Sequence, residues 1–269
     1  LKTRNSETNK NQTAKLLYNL FINRGYYVGN FWGPYTTQYY VYALTYNCER
    51  YYDYSMVLYK GHTFVNYHYY YPCGVPSCSF SHNAAYDDAY TSNDWADYIQ
   101  DYDIDDRIRA GMAAAFKHGT HYFVFMWCCE LANSTHYIGV FNEAHSSSFL
   151  PSWMHFDPWS LNTDGYHGTP DYSDRVFIGF TWLSKSYKDS CWDPYYNYGD
   201  WIWSFYYYLL TQGYTVKEAL DQASRDTHYN NDFDNCPLDN GYLARNPLSG
   251  QWELSRMRVW GDSSARLPR

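Results

Sequence analysis

The sequence predicts an α/β domain built on a mainly parallel sheet flanked by helices. Two runs, HYFVFMWCC at 121–129 and RVFIGFTWL at 175–183, are apolar at consecutive positions, as strands covered on both faces are. Helical segments with capping and stop residues stand before and after them, and strand alternates with helix along the chain. The 269 residues hold no linker-like stretch and no internal repeat. Residues 1–12 read as a polar tail, and 13–269 as a single domain.

Each element has a local reason. The tail, LKTRNSETNKNQ, is polar throughout and is expected to be held by packing. Thr13 is placed to cap a helix from Ala14 to Arg24, with Leu16, Leu17, Leu20 and Phe21 on one face and Gly25 as the left-handed stop. Tyr26 to Phe31 reads as a strand, and 54–60 (YSMVLYK) as a second, ending at Gly61-His62. Asp105 or Asp106 caps a helix over 107–117, and the run at 121–129 follows. After the run at 175–183 comes an aromatic helix over 200–212 closed by Gly213. Thr215 caps a helix from Val216 to Arg225, and Ser255 to Trp260 is the last strand.

Composition narrows the function. Tyrosine outnumbers leucine, 34 to 18, whereas ordinary domains are led by leucine and small residues. The formal net charge of −8 argues against a nucleic-acid backbone as partner. No apolar run is long enough to span a membrane. Seven cysteines, at 48, 73, 78, 128, 129, 191 and 236, fit an oxidising, extracellular or cell-surface setting. The sequons at Asn11 and Asn133 point the same way, and Leu1 in place of methionine fits a removed leader or a fragment. The odd cysteine count leaves one thiol free or paired with another molecule. Cys73 and Cys78 read as a structural disulfide closing a small loop.

Eight aspartates lie between Asp87 and Asp106. Asp101, Asp103 and Asp105 invite comparison with a calcium loop. The sixth position is Asp106 instead of glycine, however, and the twelfth is Met112 instead of glutamate, so an EF-hand is excluded. A looser calcium site there is the one cofactor candidate; otherwise none is expected, and the segment is a solvated acidic loop leading into a helix N-terminus. The histidines at 118, 121, 136, 145, 155 and 167 lack ligand spacing and read as packing residues.

Two strand ends carry chemistry-bearing residues: Gly61-His62 after one strand, Cys128-Cys129 after another. Open α/β sheets place their sites at such carboxyl ends. A histidine there can take the proton of a cysteine, whose thiolate attacks a carbonyl. Together with Phe177-Ile178-Gly179, the segment Gly213 to Leu220 and Val259-Trp260-Gly261-Asp262, these motifs resemble the caspase-like fold. Within it, the chain looks most like secreted gingipain- and clostripain-type cysteine peptidases, over about residues 13–268. The resemblance implies a three-layer sandwich, with Cys129 as nucleophile and His62 as base. It also shows departures: Thr63 stands where a glycine follows the histidine, Trp127 and Cys128 precede the cysteine, and Glu130 follows it. A carboxylate beside the thiol raises its pKa, the wrong direction for a nucleophile. The polar tail stands where the family has an apolar first strand.

The expectation is therefore a degenerate member with lapsed catalysis: an extracellular, tyrosine-rich structural protein, self-assembling into a homo-oligomer or polymer such as a surface layer, sheath or filament. Tyrosine gives large contact area with a hydroxyl for wet rims. Tyr206, Tyr207 and Tyr208 cannot all face one core from consecutive helical positions, so some must look outward. The alternative is a secreted cysteine endopeptidase using Cys129 and His62. A carbohydrate-binding module, with exposed rings stacking on sugars, ranks third.

Overall fold

A computed structural model of the chain describes residues 9–29, 38–60, 62–69, 79–86, 99–100, 107, 110, 114, 121–127, 176–245 and 250–268. The chain gathers into two compact units, each assembled from segments separated in sequence. The first takes Leu1–Asn30, Ser184–Met257 and Ser263–Arg269; the second takes Phe31–Leu183 and Arg258–Asp262.

The second unit carries the sheet that the apolar runs predict. Its helix α2 (Gln38–Tyr51) precedes β1 (Ser55–Lys60), β2 (His62–Tyr69), β3 (Ser79–Tyr86), β4 (Ile99–Gln100), β5 (His121–Trp127) and β6 (Val176–Phe180). One sheet has the order β1-β5-β6-β9, where β9 is Met257–Gly261. β1 pairs with β5 in parallel, Met56 opposite Phe123 through Lys60 opposite Trp127, and β5 pairs with β6 in parallel. Residues 123–127 of β5 and all of β6 are buried, so both sheet faces are covered. The architecture is α/β, with a mixed sheet whose strands are mostly parallel. β2, β3 and β4 form a separate antiparallel sheet.

The first unit packs α1 (Asn9–Asn23) against α3 (Tyr198–Tyr207), with α4 (Val216–Thr227), the short α5 (Pro237–Asn240) and a hairpin of β7 (Tyr242–Arg245) and β8 (Trp252–Ser255). α1 begins at Asn9, so residues 9–12 of the expected tail are helical and Thr13 lies inside the helix instead of capping it. Thr13 is buried, and that burial explains its place: it packs against Gly199 at the start of α3. The predicted stop at Gly25 does form. Gly25 adopts φ 83°, its amide bonds Ile22 O at 3.0 Å, and the Tyr26 amide reaches back to Phe21 O at 3.1 Å. The Phe21 and Tyr26 rings meet across this turn, and the Tyr26 hydroxyl donates to Pro268 O. Tyr26 thus completes a helix end, and residues 26–29 are not the strand the sequence suggested.

α3 opens on a capping box in which Asn197 and Asp200 exchange side-chain-to-backbone bonds of 3.1 Å each. It continues as a π-turn over Tyr208–Gln212 and stops at Gly213, at φ 68°. Trp201, Ile202, Phe205, Tyr206, Leu209 and Leu210 fill the core. Of the three consecutive tyrosines, Tyr206 is fully buried while Tyr207 and Tyr208 lie half-buried. α4 has the predicted Thr215 cap, boxed with Glu218, and runs two residues further than expected, to Thr227. Its first amides, on Val216 and Lys217, bond Ala265 O and Ser263 O, so the chain's last described residues close the helix N-terminus. The expected last strand is two strands: β8 ends at Ser255 to pair with β7, and after Arg256 the chain enters β9 beside β6.

Candidate functional site

The two expected catalytic positions follow neighbouring parallel strands. Lys60, the last residue of β1, is the register partner of Trp127, the last residue of β5. Because the pairing is parallel, both strands end at the same side of the sheet, the carboxyl end at which α/β sites are built. His62 is placed by its backbone at the first position of β2, opposite Tyr86 of β3, and not in a free loop. Thr63, in the position of the family's glycine, pairs with Ala85 on the same ladder. Cys128, Cys129 and Glu130 lie outside the described residues.

Trp127 is part of the sheet core. Its side chain is fully buried, 5.5 Å from the Phe125 ring and 5.1 Å, edge-on, from Phe180. A large residue is accommodated there because β5 and β6 are covered on both faces.

The remaining sequence candidates divide simply. Asn11 belongs to α1. Cys73, Cys78, Asp101, Asp103, Asp105 and Asn133 lie outside the described residues. Among the described residues, no group of three or more His, Cys, Asp or Glu side chains is arranged to hold a metal ion. No described helix is long and apolar enough to cross a membrane.

The first unit contains a buried polar cluster that sequence reasoning did not single out. α4 turns Val216, Ala219, Leu220, Ala223, Ser224 and Thr227 inward at helical spacing, so two hydroxyls enter the core on one face. The Ser224 hydroxyl accepts from Trp201 Nε1 at 3.1 Å and approaches Cys236 Sγ at 3.6 Å. The Thr227 hydroxyl bonds Ala223 O at 2.8 Å and meets His228 Nδ1 at 2.9 Å. His228 is fully buried, its ring lies 5.8 Å from that of Tyr198, and its Nε2 has no hydrogen-bond partner among the described residues. Burial pushes its pKa down to about 4, with a Ser224 backbone contact and Asp193 acting weakly the other way. Burial likewise raises the thiols of Cys191 and Cys236, so neither is an activated nucleophile. Tyr229 and Asn230, just after His228, both adopt positive φ, at 51° and 64°. The legible signal was Ser224 and Thr227 on an otherwise apolar stripe, since buried hydroxyls require polar partners.

The first unit also exposes apolar area. Across the β7–β8 hairpin Leu243 faces Leu254 and Arg245 faces Trp252. Leu243, Trp252 and Leu254 are 63%, 65% and 48% exposed. Tyr27, Trp192, Tyr195 and Tyr229 are exposed in the same unit, and Tyr39, Tyr51, Tyr52 and Tyr54 in the other. Trp203, Tyr207, Tyr208 and Tyr214 form a half-buried chain of rings with successive centroids 5.2, 5.5 and 5.4 Å apart. Comparison with family models, curated proteins and solved structures finds no significant match.

Proposed function

We propose that this chain is an extracellular, tyrosine-rich structural protein that self-assembles at a cell surface, on a caspase-like fold whose catalysis has lapsed. One observation carries the reading: one face of the β7–β8 hairpin presents Leu243, Leu254 and Trp252 together, all three exposed. A two-stranded ribbon gains little stability alone, and contiguous apolar surface marks contact sites. The exposed tyrosines in both units add contact area of the kind that interfaces favour. A charge of −8 keeps the partner away from nucleic acid, and a homo-oligomer or polymer is the simplest occupant. The test is sedimentation over a range of protein concentrations, with negative-stain imaging. Concentration-dependent assemblies support the reading; monomers at every concentration overturn it.

A second reading keeps the chemistry: a secreted cysteine endopeptidase with Cys129 as nucleophile and His62 as base. The Lys60–Trp127 register supports it, because the two strands that precede these residues in the chain end side by side. A thiol-reactive peptide probe that labels the wild-type chain and not Cys129→Ala would establish this activity. Absence of labelling in reduced, folded protein would leave the lapsed-enzyme reading standing.

A further inference from the structure

We infer that Tyr208 of the first unit is a one-electron oxidation site, with Asp226 as the acceptor of its phenolic proton and the neighbouring rings as its electron path to the oxidant. Tyr208 opens the π-turn that follows α3, and Asp226 stands in the last turn of α4. The Tyr208 hydroxyl donates to Asp226 Oδ2 at 2.8 Å. The other carboxylate oxygen, Oδ1, accepts from Gln222 Nε2 at 3.2 Å, one turn back on α4. Gln222 thus holds the carboxylate with one oxygen on the phenol.

Two rings touch Tyr208. Tyr214 stacks on it at 17°, and Tyr207 meets it edge-on at 77°. Tyr207 in turn stacks on Trp203 at 17°. These separations are those of aromatic rings in contact, across which an electron passes readily. All four rings are half-buried, so an oxidant in solution can take an electron from the chain without entering the core. A bond that merely ties the π-turn to α4 requires only an acceptor on the phenol. Oxidation requires three things together: an easily oxidised ring, a base on its proton, and contact with further such rings. Tyr208 combines all three. Tyr26 supplies the contrast, since it is also half-buried and touches a ring, but its hydroxyl donates to a carbonyl, Pro268 O, which is not a base.

Burial and the Asp226 carboxylate push the phenol up to about 12, so Tyr208 is protonated at neutral pH and does not react as phenolate. Loss of an electron alone would leave a strongly acidic radical cation. Moving the proton to Asp226 in the same step avoids that species. The co-reactant is a one-electron oxidant, such as the oxidised haem of a peroxidase. It takes an electron from Trp203, Tyr207 or Tyr214, and that electron is replaced from Tyr208. The Tyr208 O–H bond breaks as an O–H bond forms on Asp226 Oδ2. The products are a neutral phenoxyl radical on Tyr208, a protonated Asp226 and the oxidant reduced by one electron. The inference is independent of assembly and of any activity at Cys129.

The test mixes the folded chain with a single equivalent of hexachloroiridate(IV), follows oxidant consumption by stopped flow, and reads the tyrosyl radical by freeze-quench electron paramagnetic resonance. The expected result is a severalfold loss of early radical signal in Tyr208→Phe and none in Tyr26→Phe. Asp226→Asn keeps an oxygen that accepts the hydrogen bond but cannot take the proton, so a merely structural bond survives it. That variant should be oxidised severalfold more slowly than wild type. An undiminished signal in Tyr208→Phe, or wild-type oxidation in folded Asp226→Asn, overturns the inference. If Asp226→Asn does not fold, the comparison of Tyr208→Phe with Tyr26→Phe decides alone.

Discussion

Thr13 of α1 and Gly199 of α3 touch so closely that a β-carbon built on Gly199 would stand 2.6 Å from Thr13 Oγ1. The same β-carbon would stand 2.9 Å from Asn197 Oδ1, which caps α3. Gly199→Ala should therefore destabilise the chain by about 1–3 kcal/mol through overpacking, despite alanine's better helix propensity. Urea unfolding measures it. Adding Thr13→Ala should recover part of the loss, because it removes the nearer of the two clashes. Equal losses in Gly199→Ala and the double variant would show that this contact does not limit the approach of α1.

The hairpin face gives a second prediction. Trp252→Ser with Leu254→Ser should shift sedimentation towards monomer. Stability should fall by no more than about 1 kcal/mol, the scale of a cross-strand pair. Unchanged assembly in a folded double variant would remove this face from the interface.

These two cases show what the sequence could tell. The double-faced apolar runs identified β5 and β6 because burial on both faces leaves no polar positions to interrupt them. Gly25, Gly213 and the Thr215 cap were legible because each terminus depends on chemistry within a few residues. Thr13 was misread for the complementary reason. A threonine before an apolar stripe looks like a cap, and only the glycine on another helix, far along the chain, reveals that it packs. The site was legible at its backbone level alone. Residue order indicates which segments leave β1 and β5, whereas the parallel register of Lys60 with Trp127 is a tertiary fact. The cluster around Cys191, His228 and Cys236 was hidden because its members come together only when α4 is packed.

Trp127 ends β5 inside the sheet core. Being fully buried against Phe125 and Phe180, it should lose about 3–5 kcal/mol as Trp127→Ala, and clearly less as Trp127→Phe, which keeps a ring in place. Guanidinium unfolding of both variants distinguishes them. A cost below about 1 kcal/mol for the alanine variant would mean that the ring is not part of a close-packed core.

His228 should make stability fall on acidification in a range where most carboxylates are still charged. Its pKa is about 4 in the folded chain, against 6.5 for an ordinary histidine, because burial penalises the imidazolium. The unfolded chain therefore binds a proton that the folded chain refuses between these two values. The stabilisation is complete above pH 6.5 and is lost progressively as pH falls towards 4, with a slope of at most about 1.4 kcal/mol per pH unit. Summed over that interval, the loss is on the order of 3 kcal/mol. Other groups also titrate, so the informative quantity is a difference. His228→Phe keeps a ring beside Tyr198 and cannot take a proton. Urea unfolding at several pH values between 7 and 4 should show a steeper decline for the wild-type chain than for the variant. Parallel curves would mean that His228 accepts its proton as readily in the folded chain as in the unfolded one, and that its surroundings open to water on acidification.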